Sequence, residues 1–139
     1  MRWFTDEWAQ AVRASVNTGP SAAERERKLP SYWNWIERAR SGHTATWALG
    51  VRETGTYVLL AWKDGTCTAA EITSDPGAAD YVLVAGEAAW RELLEGADPG
   101  RMVMYRRLRL ERGDVLGFFR VIYFFVESLA ALAKVPTKP

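Results

Sequence analysis

The segment from Asp114 to Lys134 is the part of this chain that most constrains its fold. It is strongly apolar, and its only interior charges are Arg120 and Glu127. With Lys134 these charges recur every seven residues, which is almost two helical turns, so they fall on one narrow stripe. No uncharged run exceeds six residues, whereas a membrane span needs roughly 18. We therefore predict one helix that buries most of its surface in the protein, in a partner or around an apolar ligand.

The two sides of this predicted helix are expected to differ. Four apolar residues at helical spacing form the side opposite the charges: Phe118, Ile122, Phe125 and Leu129. Phe124 falls close to the charged stripe and is expected near the surface. Trp3, Phe4 and Trp33 also have no predicted place in the core. These four aromatic residues could form a contact patch for a membrane or for a second copy of the chain.

Composition narrows the class of protein. The chain has 139 residues, a single-domain length, and 18 basic against 17 acidic residues, so its net charge of +1 gives little attraction for nucleic acid. Cys67 is the only cysteine, which excludes an internal disulfide and fits a reducing compartment. We expect a soluble, cytoplasmic protein that does not bind nucleic acid. Seven tryptophans give it more bulky apolar surface than a minimal core needs.

Three helices are predicted before residue 43. Thr5 caps a helix that runs to about Asn17, and Ser21 with Glu24 forms a capping box for a short second helix. The third helix covers residues 31–40 and has Trp35 on its buried side, which leaves Trp33 off the apolar stripe.

The middle of the chain changes to the alternating pattern of strands. Five strands are predicted, over residues 44–52, 57–63, 66–73, 80–84 and 107–111, with a helix over 86–95. Asp64-Gly65 is typical of a type I′ hairpin turn. The order predicts an α+β fold with a largely antiparallel five-stranded sheet and helices packed on one face. We assign residues 1–139 to one domain, with the N-terminal helices in 1–42 and the sheet with its helices in 43–134.

Several short motifs follow one another in a fixed order from Lys63 onward. They are Lys63-Asp64-Gly65, Ala79-Asp80-Tyr81-Val82-Leu83, Trp90 with Leu93, Leu94 and Gly96, Asp98-Pro99 with Met102, Arg107-Leu108-Arg109-Leu110, and Gly113-Asp114. Together they resemble the sterol carrier protein type-two family over more than half of the chain. Where that family usually has glycine, this chain has Arg106. The stretch before Gly113 is also one residue longer, which predicts a β-bulge near Glu111-Arg112.

The resemblance implies an apolar tunnel between the sheet and its helices. The tunnel would bind a fatty acid, an acyl thioester or a sterol-like lipid without reacting with it. Nine inward-facing side chains are predicted to line it: Trp47, Trp62, Trp90, Met102, Leu108, Leu110, Phe118, Ile122 and Phe125. Arg107 and Arg109 share a face of their predicted strand, so they could contact an anionic headgroup or a coenzyme phosphate.

Signals of catalysis are weak. His43 is the only histidine, and with Cys67 it would form a nucleophilic pair only within hydrogen-bond distance. One histidine and one cysteine do not make a usual zinc site. We therefore expect a protein that is not an enzyme and holds neither a metal nor a cofactor.

Two other functions fit the same residues. The aromatic side chains could fill a solid core, so that the last helix packs on a partner or a second copy in a homodimer. Alternatively, the arginines could serve an accessory domain that assists an acyl-CoA-using enzyme.

Overall fold

The computed structural model describes residues 2–137, and its elements follow the predicted order. The helices and strands, in chain order, are α1 (Asp6–Thr18), α2 (Ala22–Arg25), α3 (Pro30–Arg40), β1 (Ala45–Val51), β2 (Thr56–Lys63), β3 (Thr66–Thr73), β4 (Tyr81–Ala85), α4 (Glu87–Leu94), α5 (Pro99–Met104), β5 (Leu108–Arg112), α6 (Val115–Arg120) and α7 (Ile122–Leu132). The predicted caps of α1 and α2 are present, since the hydroxyl of Thr5 accepts from the backbone of Trp8 and Ser21 with Glu24 forms the capping box.

The five strands form one sheet in the order β3-β2-β1-β4-β5. Three neighbouring pairs are antiparallel, but β1 and β4 are parallel, so the sheet is mixed although mostly antiparallel. Asp80 begins the parallel pairing. Its carboxylate accepts a hydrogen bond from the backbone N–H of Thr46 at 2.8 Å, and its own N–H donates to the Thr46 carbonyl at 2.9 Å. The loop after β3 therefore delivers β4 to the end of the sheet where β1 begins, and the α+β prediction is confirmed with this one change.

The turn and bulge predicted from sequence are both present. Asp64 and Gly65 have φ angles of 50° and 80°, as a type I′ turn requires. In the β4–β5 pair, Val82 lies opposite Arg112 and Leu83 opposite Leu110, which leaves Glu111 as the extra residue of a bulge.

The helices pack on one face of the sheet, as expected. The main core cluster combines alternate strand residues such as Leu49, Leu60 and Leu83 with helix residues such as Trp8 and Leu129, all fully buried. The opposite face carries a much smaller cluster of four buried residues: Ala48, Ala79, Val82 and Val84. A ligand enclosed by the fold would therefore lie on the helical side. The assignment of the whole chain to one domain stays a prediction.

The prediction for α3 is wrong in one respect. Trp33 is 8% exposed and Trp35 is 55% exposed, the reverse of what we expected. The indole N–H of Trp33 donates to the backbone carbonyl of Arg25 at 2.7 Å, and the Arg25 guanidinium lies 5.3 Å from the Trp33 ring. Because α2 folds back over this ring, the tertiary contact decides which side of α3 is buried.

The predicted final helix is in fact two helices. The backbone of Val121, with φ −113° and ψ 21°, separates α6 from α7. Phe124 is consequently buried and not near the surface, since positions after the break no longer continue the wheel of a single straight helix. Phe4 and Trp33 also pack against the core, so the contact patch expected from these aromatics is not formed. Among residues 2–137, no helix has the length and apolar character needed to cross a membrane.

Candidate functional site

The aromatic residues predicted to line a tunnel meet one another in the core. The ring of Trp47 stacks on Phe125 with centroids 3.9 Å apart, and it lies 4.6 Å from Trp62. Phe118 lies 4.7 Å from Phe125 on the other side. Phe124 adds edge contacts at 5.5 Å from Trp47 and 5.0 Å from Trp62. These five rings, which we call the aromatic cluster, occupy the space between the sheet and α7.

The other predicted lining residues surround this cluster. Trp90, Met102 and Leu108 are buried in the same core, whereas Leu110 and Ile122 are half-buried at its edge. The indole N–H of Trp90 donates to the carbonyl of Gly50 at 2.8 Å, which fixes that ring against β1. The structure thus brings all nine predicted residues into one apolar core, with their side chains in contact where the tunnel was expected. Their role in binding a ligand stays a prediction.

A groove of about 300 Å³ opens at the surface next to the aromatic cluster. It lies between β5 and the helices α5 and α6, and its lining residues are Val103, Arg106, Leu108, Arg109, Leu110, Val115, Phe118 and Phe119. Small-molecule sites range from about 300 to 1,000 Å³, so this groove is at the small end of that range. Phe118 belongs to both features, because its ring is one wall of the groove and also contacts Phe125.

Half of the residues that line the groove were predicted from the sequence as ligand contacts. Leu108, Leu110, Phe118 and Arg109 were predicted as ligand contacts, and all four line it. The other four were missed: Val103, Arg106, Val115 and Phe119. A signal for two of them existed, since positions 115, 118 and 119 share one face of a helix at the spacing i, i+3, i+4.

The two arginines predicted to bind a headgroup lie in different surroundings. Arg109 lines the groove, whereas Arg107 forms an ion pair with Glu92 of α4. The hydrogen bond from Arg107 lowers the pKa of the Glu92 carboxyl and raises that of the guanidinium. Arg106 takes the place expected for Arg107 in the groove. Its φ of 59° lies in the left-handed region, at the position where the resembled family usually has glycine.

The charged stripe of the last helix holds the N-terminal helices in place. Glu127 accepts a hydrogen bond from the Tyr32 hydroxyl at 2.8 Å, and the ammonium of Lys28 lies 3.7 Å away. Burial and this hydrogen bond raise the pKa of Tyr32. Lys134 pairs with Glu24 and thereby lowers the pKa of that carboxyl to about 2. These contacts fasten α2 and α3 over Phe124 and so close one side of the aromatic cluster.

The histidine and the cysteine are occupied by structural hydrogen bonds. The Nε2 atom of His43 accepts from the indole N–H of Trp47 at 3.1 Å, and burial lowers its pKa. The thiol of Cys67 donates to the carbonyl of Ala69 at 3.4 Å, and burial raises its pKa to about 11. A thiol with so high a pKa is a weak nucleophile at neutral pH. Within residues 2–137 no group of three or more histidine, cysteine or acidic residues is placed to hold a metal ion.

Comparisons with known proteins identify the fold. No family model matches the sequence, and comparison with curated proteins gives no match. Among solved structures, the crystal structure of a sterol carrier protein 2 matches with a TM-score of 0.75 and 26% identity, covering 97% of this chain and 100% of that one. A conserved hypothetical protein of Thermus thermophilus, described as possibly a sterol carrier protein, matches with a TM-score of 0.72 and 26% identity. The match covers 100% of this chain and 93% of the Thermus protein.

These likenesses span nearly the whole chain, well beyond the motifs that first indicated them. The mixed five-stranded sheet covered by helices on one face therefore defines an α+β domain with the fold of these sterol carrier protein structures. The chain is a sterol-carrier-protein-2-like domain.

Proposed function

We propose that this domain binds an apolar ligand, such as a fatty acid, an acyl thioester or a sterol-like lipid, without reacting with it. The fold supports this proposal, and one observation carries it. Phe118 is shared between the surface groove and the aromatic cluster. Phe118 therefore forms part of the wall between an open apolar groove and the apolar interior, and the groove is the mouth of the binding site.

Entry of the ligand requires Phe118 to move. Its ring lies 4.7 Å from Phe125, 5.5 Å from Phe119 and 6.2 Å from Tyr81, so it forms a wall that packs against other rings. The break at Val121 lets α6 shift without disturbing the hydrogen bonds of α7. Rotation of Phe118 with a small displacement of α6 opens the groove toward Trp47 and Trp62. The aromatic side chains that fill the core then become the walls of the ligand site.

The energetics fit reversible carriage. A lipid that buries about 400 Å² of apolar surface gains about 10 kcal/mol at ~25 cal/mol per Å². Association costs of at least ~4 kcal/mol leave about 6 kcal/mol, which corresponds to a dissociation constant of tens of micromolar. Displacing packed rings weakens binding further. A carrier must release what it binds, so affinity in this range suits the role.

The groove also favours one orientation of the ligand. Six of its eight lining residues are apolar, and the other two are Arg106 and Arg109. A carboxylate or phosphate at the mouth would pair with these guanidinium groups while the hydrocarbon body enters past Phe118. We therefore favour ligands with an anionic head over neutral ones.

The test is titration with a fluorescent fatty acid. Phe118→Trp should weaken binding about tenfold, because a bulkier side chain in a filled site costs at least ~1.4 kcal/mol. Ile122→Trp, at the edge of the same core, should act in the same direction. Tyr123→Trp is the matched control, since that ring is exposed and does not line the groove. Unchanged affinity for Phe118→Trp, with an unaltered unfolding midpoint, would argue against the groove as the route of entry.

One observation favours a second function. The close ring contacts in the aromatic cluster are also what a permanently filled core would show. In that case the domain would be a structural module that packs on a partner or on a second copy. A stable dimer in sedimentation, combined with no fatty acid binding by the wild-type protein, would support this alternative.

A further inference from the structure

The exposed apolar side chains of this protein are concentrated around the groove. Among the described residues eight large apolar side chains are exposed, and five of them lie between positions 104 and 119: Met104, Tyr105, Val115, Leu116 and Phe119. Met104 and Leu116 are each 73% exposed. Leaving such side chains in water costs free energy, and a contiguous group of them indicates a contact surface.

The five residues stand on two sides of the groove mouth. Val103 and Arg106 line one side, and Met104 and Tyr105 lie between them in the chain. Val115 and Phe119 line the other side, and Leu116 lies next to Val115 on α6. We call these five apolar residues the rim. The rim therefore borders the groove: Val115 and Phe119 line it, and the other three residues are next to lining residues in the chain.

The same part of the chain has an excess of positive charge. Residues 99–120 contain six arginines and two acidic residues, a net charge of +4, whereas the whole chain has a net charge of +1. The six arginines are Arg101, Arg106, Arg107, Arg109, Arg112 and Arg120. Ion pairing with Glu92 neutralises Arg107. The remainder of the chain is net negative, so the segment that forms much of the groove is the basic part of the chain, and Arg106 and Arg109 line the groove itself.

From these two features together we propose that the rim docks on the surface of an anionic lipid bilayer. Exposed apolar side chains inserted among acyl chains, flanked by cationic side chains at the level of the headgroups, are the chemistry of interfacial membrane binding. A fluid bilayer accommodates apolar side chains on both sides of an open groove, whereas a folded protein partner would need a surface shaped to fill it. Docking in this orientation faces the groove toward the lipid.

This inference goes beyond the proposed function, because docking needs no ligand in the groove. It is tested by co-sedimentation of the full chain with vesicles made of equal parts phosphatidylcholine and phosphatidylglycerol, compared with vesicles of phosphatidylcholine alone. We expect binding to the mixed vesicles, much weaker binding to the neutral ones, and loss of binding at high salt. Since ligand binding is measured separately, failure of docking and failure of ligand binding are distinguishable.

Substitutions in and outside the rim test whether the rim is the surface that contacts the vesicles. Leu116→Ser should weaken vesicle binding about tenfold, because it removes one inserted apolar side chain without touching the groove lining. Arg120→Gln should weaken it about fivefold through loss of one cation near the surface. Leu29→Ser is the matched control, since Leu29 is 74% exposed but lies at the start of α3, where serine would add a helix cap. We expect it to leave vesicle binding unchanged.

Three outcomes would overturn the proposal. The first is equal binding to neutral and anionic vesicles or to neither. The second is a loss of binding for Leu29→Ser as large as that for Leu116→Ser. The third is a stable dimer of the wild-type protein that Leu116→Ser dissociates, which would assign the rim to a second copy of the chain.

Discussion

Helices α6 and α7 come from one continuous apolar sequence, yet the fold treats them differently. Six of the eleven residues of α7 are buried, including Phe124, Phe125 and Leu129. In α6 only Phe118 of six residues is buried, and Val115, Leu116 and Phe119 are exposed. Hydrophobic character alone therefore does not distinguish a core helix from a contact helix. The difference arises because α7 lies across the sheet, while α6 stands at the open edge next to β5.

The two helices therefore have different roles. The contacts of α7 are numerous and mutual, so its side chains hold the fold together. Those of α6 are few, and its exposed apolar side chains lower solubility without stabilising the core. Since these exposed side chains do not stabilise the fold, we infer a functional role for them: α6 provides the movable wall of the ligand site.

The largest expected effect is the loss of a ring from α7. Phe125→Ala should lower the free energy of unfolding by about 3–5 kcal/mol, because it leaves a cavity among Trp47, Phe118 and Tyr81. Phe119→Ala, in the exposed part of α6, should change it by less than about 1 kcal/mol. Urea denaturation followed by tryptophan fluorescence measures both. If both variants lowered the free energy of unfolding by similar amounts, α6 would contribute to the stability of the fold as much as α7 does.

A smaller effect is expected at the loop that leads from α5 into β5. Arg106 has a φ of 59°, which costs a non-glycine residue about 1–2 kcal/mol. Glycine removes that strain but increases the freedom of the unfolded chain, so Arg106→Gly should raise the free energy of unfolding by about 0.5–1 kcal/mol. The same variant should weaken the binding of an anionic ligand, because Arg106 lines the groove.

Arg109→Gly is the control for this loop. Arg109 also lines the groove but lies within β5 and pairs with Val84 of β4. Glycine in a strand should destabilise the protein by about 0.5–1 kcal/mol. If Arg106→Gly also destabilised it, the positive φ of Arg106 would not be a source of strain in the folded protein.

The smallest expected effect concerns the ion pair beyond the end of α7. In the folded protein the pKa of Glu24 is lowered from 4.5 to about 2, because Lys134 and the backbone of Ser21 donate hydrogen bonds to its carboxylate. A lowered pKa means that this contact stabilises the fold fully above about pH 4.5 and loses its contribution as the pH falls toward 2. Since the Glu24 side chain is partly exposed, solvent screening limits the contribution to below about 1 kcal/mol.

Denaturation with urea at about pH 5 and about pH 3 measures this contribution. Glu24→Gln should lose less stability over that interval than the wild-type protein. An identical loss of stability in both proteins would show that the Glu24–Lys134 ion pair does not hold α2 against the end of α7.

The sequence predicted those parts of the fold that depend on local chemistry. The Asp64-Gly65 turn, the capping box at Ser21 and the bulge at Glu111 each follow from a few neighbouring residues, and all three are present. The buried side of most elements was predictable too, because alternating and helical periodicities mark it, although Trp33 and Phe124 were wrongly expected outside the core.

What depends on distant contacts was not predicted. Trp33 and Trp35 compete for the same side of α3, and only the fold-back of α2 decides between them. The break at Val121 has no proline or glycine at that position, so nothing in the local sequence marks it. The parallel pairing of β1 with β4 was not predicted either. Its one sequence sign is the uninterrupted apolar run Val82-Leu83-Val84, which is typical of a strand buried on both faces.

The central claim is that the ring-filled core opens, past Phe118, to admit a lipid. The most direct test is native mass spectrometry of the freshly purified protein, before and after incubation with a fatty acid. Our account predicts an added mass that corresponds to one lipid per chain, and a reduced bound fraction for Phe118→Trp but not for Tyr123→Trp. A folded protein that shows only its own mass under both conditions would contradict the account.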